Sequence, residues 1–348
     1  MKALKLYDPG DIRVDETDLP AIKEDEVLVK VMACGVCGSD IPRVLHYGAY
    51  RKGLTVGHEF SGVIAESRDT SGKWQAGQRV VAAPLIPCFQ CEWCQKGHYS
   101  LCEDYNYLGS RCDGAMAEYV AVPTDNLLEL PEDVPFEAGA MVDPAANAIH
   151  GAWKAKINQG DTVAIYGMGP IGLFAVQYAK ICGAAKVVGI DIMDEKLELA
   201  QKAGADVVIN GIKEDPVKAV RELFGAGVQV VLDTSGSKIA QNQAVLSAAK
   251  HGRIGFVGIS HDKLELSKEA VNNILRRELM IHGSWNSFSQ PFPGDEWRLS
   301  IKYMQEGKFW DQSFISHRLT LNEGPDIFNK LNDKSFYFSK IMFLPQEG

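Results

Sequence analysis

Short, mostly apolar runs rich in β-branched residues dominate the first part of the chain. EVLVKVMAC (Glu26 to Cys34), SGVIAES (Ser61 to Ser67) and RVVAAPL (Arg79 to Leu85) each read as a strand, with Gly, Pro and Asp between them. Near Asp161 the rhythm changes. DTVAIYG predicts a strand, GPIGLFAVQYAKICG a helix, KVVGID a strand and DEKLELAQKAG a helix. A strand at ADVVIN, a helix around Val217 to Phe224, a strand at VQVVLDTSG, a helix near Gln241 to Lys250 and a strand at GRIGFVGIS follow. Strands alternating with helices of this length predict a parallel sheet covered by helices. After GSWNS the alternation stops, and the tail from Gln290 mixes helical and strand character up to KIMFLP. The expected class is α/β: a parallel-sheet domain of the Rossmann type over 153–289, inserted into a mostly-β domain made of 1–152 and completed by 290–348.

One stretch, TVAIYGMGPIGLFAVQYAKICGA, is apolar enough to suggest a membrane span. Its glycines, Pro170 and Lys180 favour a soluble strand–turn–helix instead. The N-terminal MKALKLYDPGDIRV lacks the apolar centre of a secretory signal, so a cytoplasmic protein with no membrane partner is expected. The 348 residues are 46% hydrophobic and 23% charged, an ordinary globular composition. Asp and Glu outnumber Lys and Arg by 45 to 36, and no long basic block occurs. That argues against nucleic acid as a partner and leaves a small molecule.

Gly167-Met168-Gly169-Pro170-Ile171-Gly172 forms a G-x-G-x-x-G run between a β-branched strand and an apolar helix. Such glycines permit a tight turn, close approach of backbone to a pyrophosphate, and close helix–strand packing. The phosphates then meet the unpaired N–H groups of a helix N-terminus. Asp191 closes the next strand. A carboxylate there accepts from ribose hydroxyls and repels a 2′-phosphate, which favours NAD over NADP. A glycine-rich turn without a nucleotide is the plainer alternative.

Four of the eight cysteines, Cys88, Cys91, Cys94 and Cys102, follow C-x2-C-x2-C-x7-C. A zinc ion with four cysteine ligands is the leading reading, and two disulfides are the alternative. A ferredoxin-type cluster would need the fourth cysteine sooner and a proline after it, whereas Cys102 precedes Glu103. Four thiolates leave no open position and cancel the ion's charge, so this zinc should be structural. A second set, Cys37, His58 and Glu59 with Asp143 downstream, offers mixed ligands with room for an exchangeable one, as catalytic zinc requires. A redox pair of Cys34 and Cys37 competes with it but would need neither His58 nor Glu59. Cys34 itself closes an apolar strand and reads as core.

CGVCGSD, GHEFSG, the cysteine lobe, DGAMAEYV and GMGPIG together resemble the zinc-dependent medium-chain dehydrogenases along nearly the whole chain. Within them the likeness is to the polyol branch, which includes sorbitol and threonine dehydrogenases. GSDIPR, PLIPCFQCEWCQKGHYSLC, YLGSRCDGAMAEY and GSWNSFSQPFPGDEW are similar to polyol-phosphate dehydrogenases of the galactitol-1-phosphate and arabitol-phosphate kinds. The resemblance implies a GroES-like catalytic domain, a nucleotide domain and a cleft between them. It implies a catalytic ion at Cys37, His58 and Glu59, with Asp143 standing where a glutamate is usual. One thiolate and two carboxylates outweigh a divalent ion, so one carboxylate is expected to act through water or to swing in during turnover. Mn²⁺ is the alternative ion for such an oxygen-rich set.

The implied reaction is oxidation of a polyol phosphate to a ketose phosphate, with the metal acidifying the hydroxyl and the hydride passing to NAD. Unphosphorylated polyols or threonine are the alternative substrates, and a non-catalytic zinc-stabilised binding module is the alternative class. Ser39 stands where the family places a relay hydroxyl, and Asp40 is placed to hold the other nitrogen of His58. The usual relay histidine is replaced by Pro42, so His46 or Glu59 through water is the substitute. Arg43 and Arg111 are the candidate phosphate ligands, against the plainer reading of solvated or ion-paired arginines. Lys196, Val257, Ser284 and Trp285 join the glycine loop as cofactor contacts, although Trp285 reads equally as packing. His98, His251 and His261 read as ordinary surface residues. A homodimer, or a tetramer built on it, is expected because the family pairs nucleotide-domain sheets through an edge strand.

Overall fold

The computed structural model describes residues 1–260, 262–333 and 335–347; His261 therefore lies outside the described residues. The chain forms two compact units. One comprises Met1–Asp143, Phe288–Glu306 and Ile315–Gly348, and the other Pro144–Ser287 and Gly307–Phe314. The first unit is left after Asp143, and a short piece of the tail, Gly307–Phe314, joins the second unit.

The first unit is built on a seven-stranded sheet. Strand Glu26–Gly35 lies inside it, antiparallel to Glu59–Ser67, Tyr119–Pro123 and Lys340–Phe343. Apolar residues fill most of its positions, and Val27, Val29, Val31, Ala33 and Cys34 are all fully buried. Each such branched side chain contributes roughly 1.5–3 kcal/mol by burial. Gly35 stands opposite Glu59 on one side and Met342 on the other, so the C-terminal strand reaches the GHEF motif through one intervening residue. RVVAAPL does not form one strand. It ends at Ala82, and Leu85–Ile86 pairs with Asn106–Tyr107 in a separate ribbon. Pro84, between them, has no N–H to continue the ladder.

The second unit holds a six-stranded sheet in the order Val207–Asn210, Lys186–Asp191, Thr162–Tyr166, Val228–Asp233, Ala248–Phe256, Met280–Gly283. Every pair is parallel, and the order is that of a doubly wound nucleotide-binding sheet. The helix expected to reach Lys250 stops at Ser247, because Ala248 already pairs with Val228. Helix Val142–Ala155 was not legible, since its small residues blur the apolar stripe.

Candidate active site and metal centres

Cys37 follows the end of strand Glu26–Gly35, Glu59 opens strand Glu59–Ser67 beside it, and His58 immediately precedes that strand. Their ligand atoms lie within 4.8 Å of one another. Ser39 donates its hydroxyl to Cys37 Sγ at 3.3 Å, and its N–H points to the same sulfur at 3.5 Å. Asp40 is buried, accepts the Cys37 N–H at 3.0 Å and faces His58 Nδ1 at 3.4 Å. Burial opposes a charge on His58, but Asp40 and the Cys37 sulfur outweigh it and hold the imidazolium well above its ordinary pKa. The pocket therefore favours positive charge, be it a proton or a metal ion.

Asp143, also buried, lies in the first turn of helix Val142–Ala155. Burial pushes its carboxyl up to about 7, with Glu59 adding to the rise and His58 opposing it. It is not among the three residues whose ligand atoms cluster. Glu59 is instead paired with Lys340, a buried residue of the C-terminal strand. Tyr107 presents its ring edge-on to His58, 5.6 Å between centroids, and Tyr105 follows at 6.4 Å. Arg111 stacks on Tyr105 at 4.1 Å and on Tyr50 at 5.2 Å, and Arg43 lies 5.8 Å from the same Tyr50 ring. The two arginines singled out by sequence thus share one exposed tyrosine.

Cys88, Cys91, Cys94 and Cys102 converge within 4.8 Å as free thiols, four sulfurs around one point as a single ion requires, which favours the metal over two disulfides. Backbone N–H groups already point at the sulfurs: Cys91 N–H to Cys88 Sγ and Cys88 N–H to Cys102 Sγ, each at 3.3 Å. The N–H groups of Glu103 and Cys94 draw the Cys91 thiol down to about 6, whereas burial pushes Cys94 up. The set suits a tetrahedral thiolate site. The segment that carries SFSQPFPGDEW packs on this lobe through Ser100 and Phe288, and through Phe292 against Phe89 and Tyr99.

In the second unit Gly167 has φ +93°, and a Cβ on Gly172 would stand 1.9 Å from the Gly167 carbonyl. Neither tolerates a side chain. Gly169 caps helix Pro170–Ile181 and has open space around it, as a phosphate site requires. Pro170 and Ile171 open that helix. Thr234 donates to the Gly167 carbonyl at 2.8 Å and braces the loop. Asp191 accepts from Met168 N–H at 2.7 Å through one oxygen, and from Ile192 and Met193 through the other.

Two family models match the chain: the alcohol dehydrogenase GroES-like domain over residues 23–132 and zinc-binding dehydrogenase over 170–302. The chain belongs to the zinc-binding dehydrogenases. Galactitol 1-phosphate 5-dehydrogenase of Escherichia coli K12 is 39% identical over 91% of this chain and 92% of its own. D-arabitol-phosphate dehydrogenase of Enterococcus avium is 33% identical over 100% and 99%. The crystal structure of galactitol-1-phosphate dehydrogenase from Escherichia coli superposes with a TM-score of 0.94 at 36% identity, covering 99% of this chain and 100% of that one. A zinc-binding dehydrogenase from Sinorhizobium meliloti 1021, bound to NADP, gives 0.92 at 32% identity and 99% coverage of both.

This zinc-binding dehydrogenase carries two groups of donors, a thiolate lobe and a mixed-ligand set, and the chemistry of both fits zinc. Of the remaining sequence candidates, His46 is exposed and Lys196 is half-buried on helix Asp194–Lys202. Val257 and Ser284 face Gly151, whose added Cβ would meet Val257 Cγ2 at 2.6 Å. Trp285 is largely exposed, so it is not a core residue. His98 and His251 are exposed, and His251 pairs with Glu278. Lys340, Tyr50, Tyr107 and Thr234 escaped the sequence reading. Each is an ordinary residue type whose importance comes from a neighbour distant in sequence. No helix among the described residues is long and apolar enough to cross a membrane.

Proposed function

We propose that this zinc-binding dehydrogenase oxidises a secondary hydroxyl of a pentitol or hexitol phosphate to the ketose phosphate, with hydride transfer to NAD in the cytoplasm. The observation that carries the substrate class is the convergence of Arg43 and Arg111 on Tyr50, linked through Tyr105 and Tyr107 to His58. Two guanidinium groups gathered on one tyrosine ring suit a phosphate dianion, and the aromatic line from Arg111 through Tyr105 and Tyr107 to His58 gives a sugar chain a surface to lie on. The phosphate-using relatives support the same reading.

Cys37, His58 and Glu59 would hold the catalytic zinc, with Asp143 as the neighbouring carboxylate; Cys88, Cys91, Cys94 and Cys102 would hold the structural one. The catalytic ion supplies Lewis acidity that makes the substrate hydroxyl easier to deprotonate. Ser39 relays that proton toward solvent with His46 as the onward carrier, since Pro42 has no group that titrates and Lys340 already holds Oε2 of the alternative, Glu59. Asp40 fixes the His58 tautomer so that Nε2 is the free nitrogen. Gly167, Gly169 and Gly172 bring backbone against the pyrophosphate. Asp191 faces the adenosine ribose and favours NAD. The open edge strand Met280–Gly283, with Met280 and Ile281 exposed, pairs with its copy in a homodimer.

The test is an NADH-formation screen of pentitol and hexitol phosphates beside the free polyols and threonine, with zinc or manganese supplied. Phosphorylated substrates should give the higher kcat/KM. Arg43→Ala and Arg111→Ala should raise KM for them and leave it unchanged for any free polyol. Turnover confined to free polyols or threonine would overturn the phosphate assignment.

A further inference from the structure

Lys340 opens the strand Lys340–Phe343 and is 2% exposed. A lysine so deep in a fold is rare unless paired. Its Nζ donates to Glu59 Oε2 and, at 2.9 Å, to the Val36 carbonyl. Strand register explains the encounter across 281 residues of sequence. Gly35 lies between Glu59 and Met342, and Lys340, two residues before Met342, projects to the same face as Met342. A Cβ on Gly35 would stand 2.6 Å from Glu59 Oε2 and 3.3 Å from Lys340 Nζ. Gly35 ends its strand, and its missing side chain leaves the space that the ion pair fills.

The pair bears directly on the metal centre. Cys37 and Glu59 already match the charge of a divalent ion, the carboxyls of Asp40 and Asp143 lie close by, and Lys340 sets a positive charge against Glu59. The lysine also occupies Oε2, which leaves Glu59 one oxygen for an ion shared with Cys37 and His58. We infer that Lys340 is a positioning residue for the dehydrogenase reaction: by holding Oε2 it prevents Glu59 from chelating the ion through both oxygens. Chelation by both would hold the ion more tightly and make it a weaker Lewis acid.

The experiment uses the full chain with zinc in the cysteine lobe and cobalt(II) in the other site, whose visible spectrum reports coordination. Lys340→Met should alter that spectrum and keep cobalt against a chelator at least as long as the parent protein. It should lower kcat by about tenfold or more with little change in KM, measured on the best alcohol of the screen. In a Glu59→Gln background the same change should leave the spectrum where Glu59→Gln alone puts it, and Lys340→Arg should restore the parent spectrum. A Lys340→Met spectrum superimposable on the parent, or one that shifts equally with and without Glu59, would overturn the inference. If Lys340→Met does not fold, Gly35→Ala makes the same test with the lysine kept, because its methyl presses on Oε2; an unchanged spectrum there overturns the inference too. The inference rests on the metal assignment. Failure of the parent protein to take up cobalt would defeat that assignment, and this inference with it, whatever the substrate screen shows.

Discussion

Asp40 faces Nδ1 of His58 at 3.4 Å while its other oxygen accepts the Cys37 N–H at 3.0 Å. One buried carboxylate thus positions two metal-site residues. Asp40→Asn keeps the shape but removes the charge that orients the imidazole. It should weaken catalytic metal binding and kcat by about 10–100-fold, leaving the four-cysteine site filled. Metal competition followed by elemental analysis measures this; unchanged retention would show that Asp40 serves folding alone.

The cysteine lobe should be structural in a measurable sense. Cys94→Ser is expected to reduce bound zinc from two ions to one per chain. Loss of about 2 kcal/mol would lower the melting temperature by roughly 4–8 °C. Amides near Phe288 should exchange faster, because Ser100 and Phe288 bond reciprocally across the lobe. Melting curves and hydrogen exchange together decide it.

Thr234 braces the glycine loop from the neighbouring strand end through the Gly167 and Tyr166 carbonyls. Thr234→Val preserves shape and removes both bonds. A loss of about 1 kcal/mol should appear as a roughly fivefold weaker Kd for NADH. Fluorescence titration gives the value, and a Kd equal to the parent's would remove Thr234 from cofactor binding.

Asp191 holds the loop geometry, and the proposed preference for NAD rests on the same carboxylate. Asp191→Asn retains an acceptor for the Met168 N–H and removes the charge that repels a 2′-phosphate. The ratio of kcat/KM for NAD to that for NADP should fall by about tenfold. A ratio that stays constant would mean that another residue selects the cofactor.

Asp206 gives a pH test remote from the metal. Burial alone would raise its pKa, but the Val187 N–H and the Lys180 ammonium outweigh that and lower it. A carboxyl with a lowered folded-state pKa contributes stability above its unfolded value, about 3.9, and loses it as pH falls through the folded value. The stability difference between the parent and Asp206→Asn should therefore be constant near neutrality and shrink below about pH 4. Urea midpoints across that range measure it; a difference that grows with acid would contradict the assignment.

Much of the site was legible because its residues cluster in short motifs. Cys88 to Cys102 fit within one loop, and Gly167 to Gly172 within one turn, so spacing alone limits what they can do. His58 and Glu59 are adjacent, and Cys37 lies one strand away. The break at Pro84 was missed because an apolar run hides where a strand changes partner. Helix Val142–Ala155 was missed because its small residues blur the apolar stripe.

The alternation of strands and helices, the cysteine lobe and the glycine turn can be read along the chain, because these depend on neighbours a few residues apart. Tertiary structure alone decided that Lys340 neutralises Glu59, that Arg43 and Arg111 share Tyr50, and that Thr234 holds Gly167. Those pairings arise from sheet register and loop packing between distant segments, and no local spacing encodes which charge will end beside which.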